Sequence, residues 1–329
     1  MTDKNIKVLS LGEMAPKVDA ALAEHFQVYR DADLGLEPIL AEHGNEIAAI
    51  VTRGRVATTA DLIGRLPKLE IIANFGVGYD SIDLPAAIAR RVVVTNTPDV
   101  LNDEMGDFTV GLLVATIRRL PQADRFVRSG LWAEGKAFPL SATLRGRSIG
   151  IVGMGRIGKV IAKRLGGFDL PIAYHSRRKQ DDVIYPYYPT LHGLAEAVDT
   201  LIVVLPGGPA TRNIVDAAIL KALGPNGVLI NVARGSVVDE PALIRALEDG
   251  TILAAGLDVF AREPKVPAEL IDLGQVVLLP HIGTATHHTR DIMGQLVVQN
   301  VVSWFDGAGP ITPVPEITAA LGCNLRRPA

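Results

Sequence analysis

Short apolar runs recur along the chain, each closed by a polar residue, glycine or proline. They alternate with longer segments whose apolar side chains return every three or four positions. The short runs read as strands buried on both faces, the longer segments as amphipathic helices. Strands are predicted at 7–11, 26–29, 47–52, 70–75 and 92–96, then at 148–152, 172–175, 200–205, 228–232, 254–259 and 276–279. Such alternation implies parallel sheets wrapped by helices, because a parallel neighbour needs a crossover long enough to hold one. The segment Thr97-Pro-Asp-Val-Leu-Asn102 interrupts the pattern before a long apolar-periodic helix at 103–120, and an amphipathic helix at 286–305 returns the chain to the first series. The expected fold is α/β, with two doubly wound parallel-sheet domains, one flavodoxin-like and one of Rossmann type, and a cleft between. Residues 1–99 plus 286–329 form the first domain and 100–285 the second.

One strand-to-helix junction carries chemistry of its own. Ser148-Ile-Gly-Ile-Val-Gly153-Met-Gly155-Arg-Ile-Gly158-Lys runs an apolar strand into three glycines at G-x-G-x-x-G spacing, followed by a helix-forming stretch. Gly153 suits the tight turn, Gly155 lets phosphate oxygens approach, and Gly158 brings the helix close to the sheet with its free N–H groups toward the anion. This predicts a dinucleotide cradle. The next strand ends about twenty residues on, where a carboxylate would bind the ribose 2′-hydroxyl of NAD. Here the chain reads Ser176-Arg177-Arg178-Lys179, a hydroxyl and fixed cations suited to a 2′-phosphate. NADP(H) is therefore the preferred cofactor, with NAD(H) possible, since Asp181 and Asp182 stand close enough to offset the cations.

Composition narrows the class. With 329 residues and 48% hydrophobic content the chain can fill about two domains. A net charge of −3 argues against nucleic acid or an anionic membrane as main partner. The one cysteine, Cys323, forms no intrachain disulfide and fits a reducing compartment. The amino terminus lacks the apolar core of a signal peptide and no apolar run is long enough to span a bilayer, so a cytoplasmic location is expected. The histidines outside the strand ends, His25, His43, His175, His192, His287 and His288, show no metal-ligand spacing, and no metal is expected.

Ligands of open α/β sheets sit outside the carboxyl ends of the strands. Three predicted strand ends of the second series carry complementary polar residues: Arg234 with Gly235, Asp258 with Glu263, and His281. Arg234 is suited to clamp a carboxylate and polarise an adjacent carbonyl, with Gly235 leaving room for close approach. His281, bonded to Glu263, would have its protonated form favoured and its ring oriented. Asp258 is assigned to the nicotinamide side of the cofactor rather than to acid–base work.

Several motifs in order, Asn74-Phe-Gly-Val-Gly-Tyr-Asp80, Val94-Thr-Asn-Thr-Pro-Asp-Val100, Gly153-Met-Gly-Arg-Ile-Gly158, Asn231-Val-Ala-Arg-Gly-Ser-Val-Val-Asp239, Gly256-Leu-Asp-Val-Phe260 and Pro280-His-Ile-Gly283, give the chain a resemblance to the D-isomer-specific 2-hydroxyacid dehydrogenases. Within that family it resembles most the NADPH-linked glyoxylate/hydroxypyruvate and hydroxyphenylpyruvate reductases. The resemblance implies reduction of a 2-oxo acid to a D-2-hydroxy acid, with Arg234, Glu263 and His281 as the catalytic trio. It implies that Val77 and Gly78 offer N–H groups to the substrate carboxylate. It also implies cofactor contacts from Met154, Gly155, Arg156 and Ile157, from Ser176, Arg177 and Arg178, from Val232, Ala233 and Arg234, and from Asp258. A homodimer is expected, built on a helix and arm at 103–145. Thr284 stands where many relatives carry Ser near the substrate carboxylate, so the tightness of a small-acid pocket stays open. Trp132 lies on the arm, either reaching a partner's pocket or anchoring the dimer, and Met14, Arg53 and Arg55 lie on first-domain loops, either facing the cleft or, for the arginines, exposed on the surface. Reductases of larger acids such as 2-ketogluconate or hydroxyphenylpyruvate, and corepressor-like sensors on the same scaffold, are the alternatives.

Overall fold

The computed structural model describes residues 4–54, 56–323 and 325–327, so Arg55 lies outside the described residues. The chain parts into two compact units, Met1–Leu101 with Ala285–Ala329, and Asn102–Thr284. The first holds β1 (Lys7–Ser10), β2 (Gln27–Arg30), β3 (Ile47–Arg53), β4 (Ile71–Phe75) and β5 (Val93–Thr95). They form one parallel sheet in the order β2-β1-β3-β4-β5, the flavodoxin-like order, which reverses between β1 and β3. β4 is buried throughout and β3 at all but its last residue, as near-continuous apolar runs are when helices cover both faces, with Thr52 and Asn74 the buried polar residues among them.

The helix His287–Phe305 belongs to this unit and begins at Thr286, whose hydroxyl accepts the Thr289 N–H at 3.2 Å. At Gly294 it lies so close to Val18 and Phe75 that a Cβ would stand 2.5 Å from the Val18 methyl. Glu70, just before β4, receives the Trp304 indole N–H at 3.0 Å and two Arg327 guanidinium bonds at 2.8 and 2.9 Å, which tie the last described segment to the sheet.

The second unit holds β6 (Ile149–Val152), β7 (Ile172–His175), β8 (Tyr187–Tyr188), β9 (Thr200–Val203), β10 (Val228–Asn231), β11 (Ala254–Leu257) and β12 (Val276–Leu278). All run parallel in the order β12-β11-β10-β9-β6-β7-β8. This is the Rossmann order with one strand added beside β11, and its winding reverses between β6 and β9. The α/β expectation of two doubly wound parallel sheets is therefore met.

Two features depart from the apolar pattern. The helix expected at 103–120 ends at Ile117; Arg119 turns left-handed at φ 54°, and a second helix runs Leu120–Arg128. Pro121 explains the break, since its ring would collide with the carbonyl four residues back in a continuous helix. β8 was not expected at all. It consists of two tyrosines flanked by Pro186 and Pro189, a composition that reads locally as loop. Among the described residues, no helix is long and apolar enough to cross a membrane, and no three His, Cys, Asp or Glu side chains group to hold a metal ion.

Candidate active site

The second unit's sheet reverses its winding at the end of β6, and there the three glycines lie. Gly153 has φ 108° and a Cβ would stand 2.6 Å from the Val204 carbonyl oxygen, so this turn needs glycine. At Gly158 a Cβ would stand 2.2 Å from the Gly153 oxygen, which is how the helix Arg156–Leu165 comes to rest on the turn. Gly155 differs: a Cβ there would meet nothing within 4 Å. The space before the helix N-terminus is open, and the residues present fit a pyrophosphate. Met154 is buried, whereas Arg156 is exposed.

Beyond β7 the loop carrying Ser176, Arg177 and Arg178 is braced from beneath. The buried Tyr174 hydroxyl accepts the Gln180 N–H at 2.9 Å, the Tyr187 hydroxyl donates to the Ser176 carbonyl at 3.3 Å, and the two rings lie 5.4 Å apart. Within the loop Ser176 Oγ donates to the Arg178 carbonyl at 2.6 Å, so this hydroxyl closes a turn. Arg177, Arg178 and Lys179 are exposed. Asp182, one of the two carboxylates close to them in sequence, is held by Lys159 at 2.6 Å, and that bond lowers its pKa below the ordinary value. It therefore pairs with the helix after the cradle rather than with the loop's arginines.

At the end of β10, Asn231 clasps the turn that follows. Its Oδ1 accepts the Ala233 N–H and its Nδ2 donates to the Arg234 carbonyl, both at 3.0 Å. Val232 and Ala233 are buried, and the half-buried Arg234 donates through Nη1 to the Ala233 carbonyl at 2.9 Å. The task assigned to Gly235 needs correction. A Cβ there would fall 1.8 Å from the Phe260 carbonyl carbon, so its missing side chain admits a neighbouring peptide and not a substrate.

Next to that peptide stands the acid–base pair. Glu263 accepts the Phe260 N–H at 3.2 Å and faces His281 Nδ1 at 3.1 and 2.9 Å with its two carboxylate oxygens. A carboxylate opposite Nδ1 favours the tautomer with the proton there and leaves Nε2 for other partners. His281 itself sits at φ 57°, uncommon for a residue with a side chain. Asp258 accounts for part of this: from the end of β11 its two oxygens accept the Ile282 N–H at 2.7 Å and the Gly283 N–H at 2.9 Å. Burial raises its pKa, against the lowering effect of those two N–H groups and of His281. Thr284, half-buried, follows directly.

His281, Glu263 and Asp258 thus form one connected group, with Arg234 fixed on the neighbouring turn. In the first unit, Val77 and Gly78 are half-buried just past β4. Met14 is packed into that unit's core, and Arg53 closes β3 with a 2.7 Å bond to the Glu13 carbonyl. Trp132 is 68% exposed. Sequence reasoning missed the clasp by Asn231 and the bracing by Tyr174 and Tyr187. An Asn at a strand end is a usable signal for the former, because its side chain bonds its own backbone two residues on.

Comparison with known proteins points the same way. The NAD binding domain model of the D-isomer specific 2-hydroxyacid dehydrogenases matches residues 110–283. The chain is 45% identical over 312 residues to glyoxylate/hydroxypyruvate reductase A of Arabidopsis thaliana, covering 94% of this chain and 99% of that protein. It is 43% identical over 310 residues to hydroxyphenylpyruvate reductase of Plectranthus scutellarioides, with the same coverage. Among solved structures, the NADPH-dependent glyoxylate/hydroxypyruvate reductase of Sinorhizobium meliloti, in complex with NADP and malonate, superposes with a TM-score of 0.91 at 47% identity, covering 99% of both chains.

Proposed function

Because the chain belongs to the D-isomer specific 2-hydroxyacid dehydrogenases, we propose that it reduces a 2-oxo acid to the D-2-hydroxy acid with NADPH, glyoxylate and hydroxypyruvate being its substrates. The observation that carries this reading is the imidazole–carboxylate pair of His281 and Glu263 at the carboxyl end of the sheet whose β6 turn forms the cradle.

The turn of Gly153, Met154, Gly155, Arg156, Ile157 and Gly158 receives the pyrophosphate, and Arg177 and Arg178 with Ser176 receive the 2′-phosphate. Val232, Ala233 and Asp258 complete the nicotinamide side. NADPH bound there would supply hydride to the substrate's carbonyl carbon. His281 Nε2 gives the carbonyl oxygen its proton, while Glu263 fixes the ring through Nδ1. Arg234 forks onto the substrate and polarises the carbonyl. Thr284 lines the small-acid pocket, and Val77 and Gly78 of the first unit take the carboxylate through their N–H groups. Preference for NADPH over NADH is supported by the exposed arginines after β7 and by the NADP-bound relative.

Activity on a larger acid is the second reading, favoured by the 43% identity to a hydroxyphenylpyruvate reductase. A homodimer is also proposed, through the arm at 103–145, where Leu120, Val127, Trp132 and Leu140 expose apolar side chains, in a cytoplasmic setting. Loss of NADPH absorbance with a panel of glyoxylate, hydroxypyruvate, hydroxyphenylpyruvate and 2-ketogluconate tests the reading. Turnover of the two small acids is expected, and inertness toward all four would refute it.

A further inference from the structure

We infer that Asn74 and Asn96 are positioning residues that turn two successive backbone N–H groups, those of Val77 and Gly78, outward as a ready-made receptor for the substrate carboxylate. The inference rests on the proposed function and adds the residues that build this subsite.

The loop past β4 is gripped by its oxygens. Asn74 Nδ2 donates to the carbonyls of Gly76 and Gly78, each at 3.0 Å, and Asn96 Nδ2 donates to the carbonyl of Val77 at 2.9 Å. Thr97 locks the same turn with both of its groups, its N–H donating to the Gly76 carbonyl and its Oγ1 accepting the Gly76 N–H, each at 3.1 Å. The peptides here are trans, and in a trans peptide a carbonyl and the following N–H point in opposite directions. Holding the Gly76 oxygen therefore turns the Val77 N–H away from the anchors, and holding the Val77 oxygen does the same for the Gly78 N–H. Among the described residues neither N–H has an acceptor. Paired donors of this kind form an anion-binding concavity.

The anchors are themselves held. Asn74 and Thr97 are fully buried and Asn96 nearly so. The Asn96 carbonyl accepts the Thr312 hydroxyl at 2.6 Å, and that hydroxyl accepts from Asn300 Nδ2 at 2.9 Å. Asn300 in turn takes the Ile311 and Thr312 N–H groups on its Oδ1 at 3.0 and 2.9 Å. Every side chain in this relay is a neutral amide or hydroxyl. Asp or Glu cannot replace the amides, because a carboxylate donates nothing and would repel the carboxylate to be bound.

Asn96→Ala and Asn74→Ala should raise KM for the 2-oxo acid about tenfold or more, the usual worth of a hydrogen bond to a charged group. kcat at saturating substrate and the Kd for NADPH should stay within about twofold. Asn96→Asp regains a donor only while protonated, so its KM should climb with pH relative to wild type, a dependence that a purely structural role lacks. Should the alanine variants not fold, the Asn96→Asp pH series decides alone. An unchanged KM, a flat pH series, or NADPH binding that weakens in parallel would overturn the inference. Wild-type protein inert toward 2-oxo acids would instead overturn the proposed function and this subsite with it.

Discussion

The two units hold their chemistry in opposite ways. At the end of β11 and β12, the proposed reactive group is a side chain, and its holders are carboxyl groups: Glu263 on the ring of His281 and Asp258 on the two N–H groups after it. Past β4, the proposed reactive groups are main-chain N–H donors, and their holders are neutral amides. A proton to be handed over from one ring nitrogen calls for a partner that fixes the ring's orientation through the other. A carboxylate to be captured calls for donors free of any competing negative charge. The contrast predicts that damage in the first region falls on turnover and damage in the second on substrate affinity.

Removing the imidazole should expose this contrast most strongly. His281→Ala is expected to lower kcat about 100- to 10,000-fold while leaving the Kd for NADPH near the wild-type value; a loss confined to KM, by steady-state kinetics, would erase the distinction. Arg234→Lys keeps a cation but loses the fork, and kcat/KM for the 2-oxo acid should drop about 10- to 100-fold. An unchanged value would mean that Arg234 clamps nothing. Arg177→Asp probes the braced loop after β7, where the cations extend from a fixed frame. The ratio of kcat/KM for NADPH to that for NADH should fall by about tenfold or more, and a persistent ratio would remove the arginine from cofactor choice.

The smallest effect belongs to Asp258. Burial keeps its pKa above the ordinary 3.8, so the folded protein retains this proton to higher pH than the unfolded chain does. Its contribution to stability is then present in full below about 3.8 and is lost as pH rises through the raised folded value. Melting temperatures of wild type and Asp258→Asn across that range should show the wild-type advantage shrinking as pH rises. An advantage that grows instead would contradict the raised pKa.

Much of the fold is legible in the amino-acid pattern because strands buried on both faces are nearly pure apolar runs; among the described residues eleven of the twelve strands overlap an expected one, β2 doing so although its end residues Gln27 and Arg30 are exposed. β8 escapes because its two tyrosines gain their role from β7 and from the loop above, neither of which is local. The candidate site side chains are legible as polar residues at or just past strand ends. What holds them is not: Asp258 reaches Ile282 across 24 residues, and Asn96 reaches Val77 across 19. Such bonds exist only once the sheets have formed, and periodicity carries no trace of them. Gly235 shows the same blindness from the other side, since a glycine beside an arginine reads as space for a ligand until the Phe260 peptide is seen to fill it.

That contact has a practical corollary. With no side chain between them, the Arg234–Gly235 turn and the segment leading to Glu263 are separated by backbone thickness alone, as by a gauge block that cannot be shimmed. Laboratory libraries aimed at widening the range of accepted acids should hold position 235 fixed, because there any residue larger than glycine would pry the guanidinium's support and the imidazole's partner apart together.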